Sequence, residues 1–291
     1  MSHHQIRIRA SDAPWHARFF EHVAEVFGGG ADFRLWAARG GWNATYEVLA
    51  IAIDDRLVST IGRTRMELAI NGEACIGYQL GAVATRTDFR RRGLSRQLMN
   101  WVIEELDHPD QPVILFANND VLDFYPRFGF RRVRQQLFTA SVTMKPAGAL
   151  APSWDVADAA DRARLADHCV RAPAVGRRFA VREYYAILLW HLSNRPATIF
   201  RLDDVDAVVV ASQQGERLTI LDLLAVTPFD LRKALPHPIA RPISEVEFRF
   251  HPEDWWPDVT ISQPHEEDSP LFVRGTVLPR GPLRFPDLAQ T

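Results

Sequence analysis

The sequence predicts an α/β fold with a mixed central sheet, in which two parallel neighbours splay apart, followed by a smaller α+β domain. Three observations predict it. Strand-like runs at residues 46–53, 56–70 and 73–85 are joined by Asp54-Asp55 and Asn71-Gly72. The second pair is a tight-hairpin signal, so the three runs form an antiparallel meander. An amphipathic helical pattern over 95–106, with Leu98, Val102 and Leu106 on one face, separates this meander from an apolar run at 113–117. That strand, helix and strand order implies a parallel crossover. Finally, the small-residue and proline stretch 145–152 reads as a linker, after which helix and strand patterns resume.

In chain order, residues 5–10 alternate polar and apolar as a half-buried strand does. Ser11-Asp12 before Pro14 supplies a helix start, and Trp15, Phe19, Val23 and Phe27 follow at helical spacing until Gly28 ends it. A short second helix is expected over 33–39, carrying Trp36. Beyond the parallel pair, 131–142 reads as one long strand. In the second half, 158–170 and 183–192 read as helices, and 197–202, 206–211, 218–225 and 244–250 as strands. From Pro252 the chain is rich in proline, but Trp255-Trp256, 271–273 and Phe285 are too apolar for a freely solvated segment. It is expected to pack on the body. The divisions are therefore 1–145, a linker at 146–152, 153–251, and a tail at 252–291.

Composition excludes several classes. Apolar residues make up 47% of the 291, and the formal charge of −2 disfavours a nucleic-acid or membrane surface as the main partner. Nearly all positive charge is arginine, since Lys145 and Lys233 are the only lysines. Cys75 and Cys169 offer neither a disulfide framework nor a metal spacing. With no signal peptide and no apolar run of about 18 residues, a cytoplasmic location is expected. His265-Glu-Glu-Asp268 is read as a solvated turn, because four consecutive polar side chains cannot all converge on one ion.

The chemistry concentrates in LGAVATRTDFRRRGLSRQ, residues 80–97, where strand, loop and helix N-terminus follow in immediate succession. The first amides of a helix lack intrahelical acceptors and carry partial positive charge, so phosphate binds there. Gly93 permits close backbone approach, and Ser95 can cap the helix. A second segment, LFANNDVLDFYPRFGF, closes an apolar strand with Asn118-Asn119, places Tyr125 seven residues after Asn118, and follows with Gly129-Phe130.

Arg90-x-x-Gly93-x-Ser95 resembles the acyl-CoA pyrophosphate signature of the GNAT superfamily of N-acetyltransferases, with Ser95 in place of the usual Gly or Ala. Asn118, Tyr125 and Gly129-Phe130 match that superfamily's next segment in order and spacing. The resemblance covers residues 1–145. It implies a GNAT fold, acetyl-CoA as co-substrate, and cofactor contacts from Val83, Ala84, Thr85, Arg90, Arg91, Arg92, Gly93, Leu94, Ser95, Arg96 and Asn118. It also implies Tyr125 as general acid toward the leaving thiolate, Asn118 as an orienting group, and an acceptor pocket lined by Phe33, Trp36 and Trp42. The second half resembles, more loosely, a degenerate GNAT-like domain without a cofactor loop. Many members place a Glu on the strand before the loop, but 76–85 contains no carboxylate, so Glu67, Glu73, Asp88 or water remain as bases.

The expected activity is acetyl transfer from acetyl-CoA to a primary amine of a small molecule. Protein N-acetylation and non-catalytic acyl-CoA sensing stand as alternatives. Partners are then the amine acceptor, with neither nucleic acid nor membrane, and a homodimer is compatible with this reading.

Overall fold

The computed structural model describes residues 3–28, 32–106, 108, 110–262, 269–276 and 280–291. Strand β1 (His3–Ile8) leads to helix α1 (Ala13–Phe27) and the short α2 (Phe33–Ala38). Gly28 ends α1 in the left-handed region at φ 78°. The meander follows as β2 (Tyr46–Ile53), β3 (Arg56–Ile70) and β4 (Glu73–Thr85), then α3 (Leu94–Glu104) and β5 (Val113–Phe116). Next come β6 (Arg131–Val133), β7 (Leu137–Met144) and β8 (Ser153–Trp154). The remainder comprises α4 (Ala159–Arg171), β9 (Phe179–Arg182), α5 (Tyr185–Asn194), β10 (Thr198–Leu202), β11 (Ala207–Gln214), β12 (Arg217–Ala225), β13 (Ile243–Phe248), β14 (Thr260–Ser262) and β15 (Leu271–Arg274).

Two sheets form. The first is eight-stranded, in the order β1-β2-β3-β4-β5-β15-β6, with β9 pairing the far half of the long β3. The second is seven-stranded, β14-β7-β13-β12-β11-β10-β8. In the first, β4 and β5 are parallel over Tyr78↔Val113, Gln79↔Ile114 and Leu80↔Leu115, as the crossover rule requires. The second repeats this pattern: an antiparallel meander β10-β11-β12, then β13 parallel to β12 over Arg217↔Glu245 to Ile220↔Phe248.

Residues 131–142 are not one strand. β6 belongs to the first sheet and β7 to the second, so the chain crosses between sheets at 134–136 rather than at 145–152. The crossing is held by the C-terminal segment. Gln135 Oε1 accepts the Phe285 amide at 2.9 Å, Gln136 Oε1 accepts the Leu283 amide at 2.9 Å, and the Gln136 amide donates to the Leu283 carbonyl at 2.8 Å. Two short strands, β9 and β15, escape the sequence reading because their pairing partners lie far away along the chain.

Apolar burial explains the assembly. On one face of the first sheet Leu98, Met99 and Val102 of α3 pack on Leu49, Ile51, Ile61 and Leu115. On the other, α1, α2, α4 and α5 close a single cluster that also includes Leu271, Val273 and Phe285 from the C-terminal segment. Burial of this kind is the main favourable term in folding. Among the described residues no helix is long and apolar enough to cross a membrane.

Candidate active site

The parallel pair stops at Leu80↔Leu115, while β4 continues to Thr85 along β3 and β5 ends at Phe116. A bulge drives them apart. Opposite Thr60 and Gly62 the register shifts, and Ala82 takes a left-handed φ of 46°, with its carbonyl accepting the Thr60 hydroxyl at 3.0 Å. The diverging strands open a cavity of about 750 Å³. Val83 and Thr85 of β4, Phe116 and Asn118 at the end of β5, and Ser95 of α3 all line it.

The loop from Thr85 to α3 is shaped for an anion. Gly93 stands at the α3 N-cap position with φ 82°, and no side chain caps the helix. Ser95, expected as the cap, instead shares a hydrogen bond of 2.8 Å with Thr85 Oγ1, which in turn meets Ser59 Oγ at 2.8 Å. The reason is position: Ser95 lies inside the first turn, where its hydroxyl faces the end of β4. The first amides of α3 are thereby left uncapped, the arrangement that favours a phosphate. Arg90 lines the cavity, and its guanidinium donates to the Thr85 carbonyl at 3.3 Å. Arg91 (φ 62°), Arg92 and Arg96 are exposed, outside the lining. Arg92 lies over the Phe89 ring at 4.8 Å and donates to the Asp88 carbonyl. Ala84 and Leu94 are buried away from the cavity, Leu94 in the core beneath α3. Arg86, in the same loop, is no ligand contact either: its buried guanidinium reaches the Leu57 carbonyl, Glu21 and Glu25, tying α1 to the sheet.

Tyr125 and Asn118 both face the cavity. Tyr125 is 4% exposed, its ring met edge-on by Phe124 at 5.3 Å and at a tilt by Phe272 of β15 at 5.7 Å. Its hydroxyl forms no hydrogen bond with a described residue. Burial pushes its pKa up to about 12, so the hydroxyl holds its proton throughout the physiological range.

On the acceptor side, Phe33 lines the main cavity and Trp36 lines only a smaller annex of about 90 Å³. Trp36 donates its indole N–H to the Ala186 carbonyl at 2.7 Å. Trp42 lines neither cavity, contrary to expectation. It is stacked on His16 at 4.1 Å and edge-on to Tyr46 at 5.4 Å, because the bend after α2 turns it into the core. Glu67, Glu73 and Asp88 are absent from the lining too, and Asp88 faces Arg56 at 3.5 Å.

The remaining wall comes from residues that sequence reasoning missed. Trp190 and His191 of α5, Arg195 at its C-cap, and Asp287, Gln290 and Thr291 of the C-terminal segment close the cavity opposite α1. Asp287 is held by Arg284 at 2.9 Å. His191 Nε2 lies 2.7 Å from the Gln290 carbonyl, and burial lowers its pKa to about 4, so the ring is neutral at pH 7. The signal available was faint: an apolar helix, and aromatics in a proline-rich tail. The His265–Asp268 stretch lies outside the described residues, and among those described no three His, Cys, Asp or Glu side chains converge as a metal set.

Comparison with known proteins agrees with this geometry. Residues 7–133 match the family model of the acetyltransferase (GNAT) domain. No curated protein sequence matches the chain. Among solved structures, a probable N-acyltransferase from Enterococcus faecalis V583 aligns at a TM-score of 0.61 and 14% identity, over 94% of this chain and 73% of its own. Eis1 from Mycobacterium abscessus aligns at 0.58 and 14%, over 94% and 73%. A GCN5-related N-acetyltransferase from Kribbella flavida aligns at 0.57 and 15%, over 94% and 71%. At such identities the likeness is one of fold, and it extends across both sheets. Residues 7–133, with their splayed strand pair and uncapped helix N-terminus, have the fold of the acetyltransferase (GNAT) domain whose family model they match.

Proposed function

We propose that this protein transfers an acetyl group from acetyl-CoA directly to the primary amine of a small molecule, with Tyr125 as general acid. The observation that carries the reading is that Tyr125, buried and holding its proton, lines the same cavity as Arg90 and Ser95 of the α3 loop.

Acetyl-CoA supplies an activated thioester whose thiol must be protonated as it leaves. The residues present fit it. Uncapped α3 amides, with Gly93 exposing the backbone and Arg90, Arg91 and Arg96 nearby, would hold the pyrophosphate. Val83 and Thr85 on the free flank of β4 would offer main-chain partners to the pantetheine arm, and Asn118 would orient an amide of either substrate. Tyr125 would deliver its phenolic proton to the leaving sulfur. Protonation matched in time to bond cleavage is what a positioned side chain contributes, typically a hundredfold or more.

The small-molecule acceptor is favoured over a protein by the closure of the cavity: α5 and residues 287–291 stand where an open groove for a polypeptide would have to run. A thermal-shift screen of CoA thioesters, followed by an amine panel read by free-thiol release, tests the proposal. Stabilisation by acetyl-CoA with acetylation of at least one small amine is expected. Binding without turnover across the panel would favour a sensor.

A further inference from the structure

The main cavity has an annex whose walls differ in character from the rest. It shares Phe33, Gly81, Ala82 and Trp190 with the main cavity and continues inward between β3, β4 and α5. Gly62 and Gly81 are cross-strand partners, and the absence of side chains there lets Tyr46 and Thr291, both in the annex wall, pack against the strands. A Cβ at Gly62 would stand 2.5 Å from the Tyr46 hydroxyl, and one at Gly81 2.6 Å from Thr291 Oγ1. Neither glycine has a positive φ, so close approach is what the position requires.

Around this hollow four rings form a box. Phe33 and Trp190 lie 4.2 Å apart, Trp36 meets Trp190 edge-on at 6.0 Å, and Tyr46 meets Trp36 edge-on at 5.3 Å. None of the side chains lining the annex is charged. Desolvation raises the Tyr46 hydroxyl well above its ordinary pKa, and that hydroxyl has no protein partner. The annex, about 90 Å³, could take about three waters by volume. Its walls offer those waters few partners, so an apolar group displaces them favourably.

Resting on the proposed amine acetylation, we infer that the annex is the acceptor's specificity pocket: it takes a single uncharged aryl or short branched alkyl group carried by a primary amine. Trp190 and Phe33 select the group by contact, and the amine stays in the main cavity beside Tyr125. The pocket is a joint product of both halves of the chain, since α5 supplies Trp190, Ala186 and Ile187.

Calorimetry on the full chain with CoA present tests this, using 2-phenylethylamine and ethylamine as probes. 2-Phenylethylamine is expected to bind about tenfold or more tightly than ethylamine, the scale of burying one ring. Trp190→Ala, which removes a partly exposed wall, and Ala186→Leu, which fills the hollow, should each remove most of the ring preference. A preference below fivefold, or one that persists in both variants, would overturn the inference. Thiol release is scored separately with acetyl-CoA. Transfer without a ring preference sinks this pocket alone, whereas a ring preference without any transfer sinks the proposed function alone.

Discussion

At the scale of single residues, the ionisable groups of the site are set by burial more than by charge. Tyr125, at about 12, stays protonated well beyond neutral pH. If it is the general acid, Tyr125→Phe should lower kcat roughly a hundredfold with little change in acetyl-CoA affinity. The rate should then climb with pH as the acceptor's ammonium loses its proton, with no falling limb below about pH 11, one unit beneath the hydroxyl. A wild-type rate in the variant, or a falling limb near pH 9, would assign the proton to another donor. Two histidines make a stability prediction. His22 and His191 are buried and lowered from 6.5 to about 4, chiefly by desolvation. The unfolded chain therefore binds more protons between those values, so stability is lost as pH falls from 6.5 to 4, by at most about 3 kcal/mol per residue at 1.36 kcal/mol per pH unit. Asp222, raised to about 6 by burial beside Tyr184, acts in the opposite sense as pH falls from 6. The check is accordingly a difference: urea unfolding of His191→Gln against wild type at pH 7.5 and 5.0, where the variant should show the smaller acid loss. Equal losses would mean that His191 is not held neutral.

At the scale of elements, the strand, loop and helix order of the anion site was legible because it depends on contiguous residues. The ranges of β2, β3 and β4 follow from their turn signals, and Asn71-Gly72 forms the expected hairpin with both residues at positive φ. Ser95 was misread as a cap because capping depends on where helix geometry begins, and the N-cap position falls on Gly93, two residues earlier. Gly93→Val should weaken acetyl-CoA binding at least tenfold while the fold persists. The substitution meets no neighbour within 4 Å, so its stability cost comes from φ 82° alone, about 1–2 kcal/mol. Unchanged affinity by calorimetry would remove the loop from the reading. Phe272, in β15, was invisible as a site residue, yet it packs against the Tyr125 ring. Phe272→Ala should cost about 3–5 kcal/mol, with a fall in turnover larger than the fall in acetyl-CoA affinity; a denaturation midpoint within error of wild type would refute that packing.

At the scale of the whole molecule, the two sheets are interleaved rather than strung together. β7 leaves the first half for the second sheet, while β9 and β15 return from the second half to the first. A fragment ending at residue 152 would lack β15, exposing the edges of β5 and β6, and would lose Phe179 and Phe285 from the core. It should therefore fail to fold alone, seen as loss of cooperative thermal unfolding by circular dichroism; a cooperative, acetyl-CoA-binding fragment would show the first half to be autonomous. The second sheet repeats the meander and parallel pair, but its opening is occupied. Residues 284–287 run beside 249–251, with the Asp287 amide on the Arg249 carbonyl at 3.0 Å and the His251 amide on the Arg284 carbonyl at 3.2 Å. No loop of the Arg90–Ser95 kind follows β12.

The sequence by itself determined the local architecture: the meander, the parallel crossover and the loop that joins β4 to the N-terminus of α3. Each of these rests on turn chemistry, periodicity or spacing within about forty residues, where the chain carries its own instructions. Only the tertiary structure decided the acceptor side. Trp42 went to the core and Trp190 to the pocket, though both are tryptophans. The physical reason is that burial is non-directional, so an aromatic's pattern tells that it will be covered and not what will cover it. Pairings such as β15 with β5, joining residues more than 150 positions apart, are chosen by unsatisfied strand edges and matching apolar faces that exist only once the rest has folded.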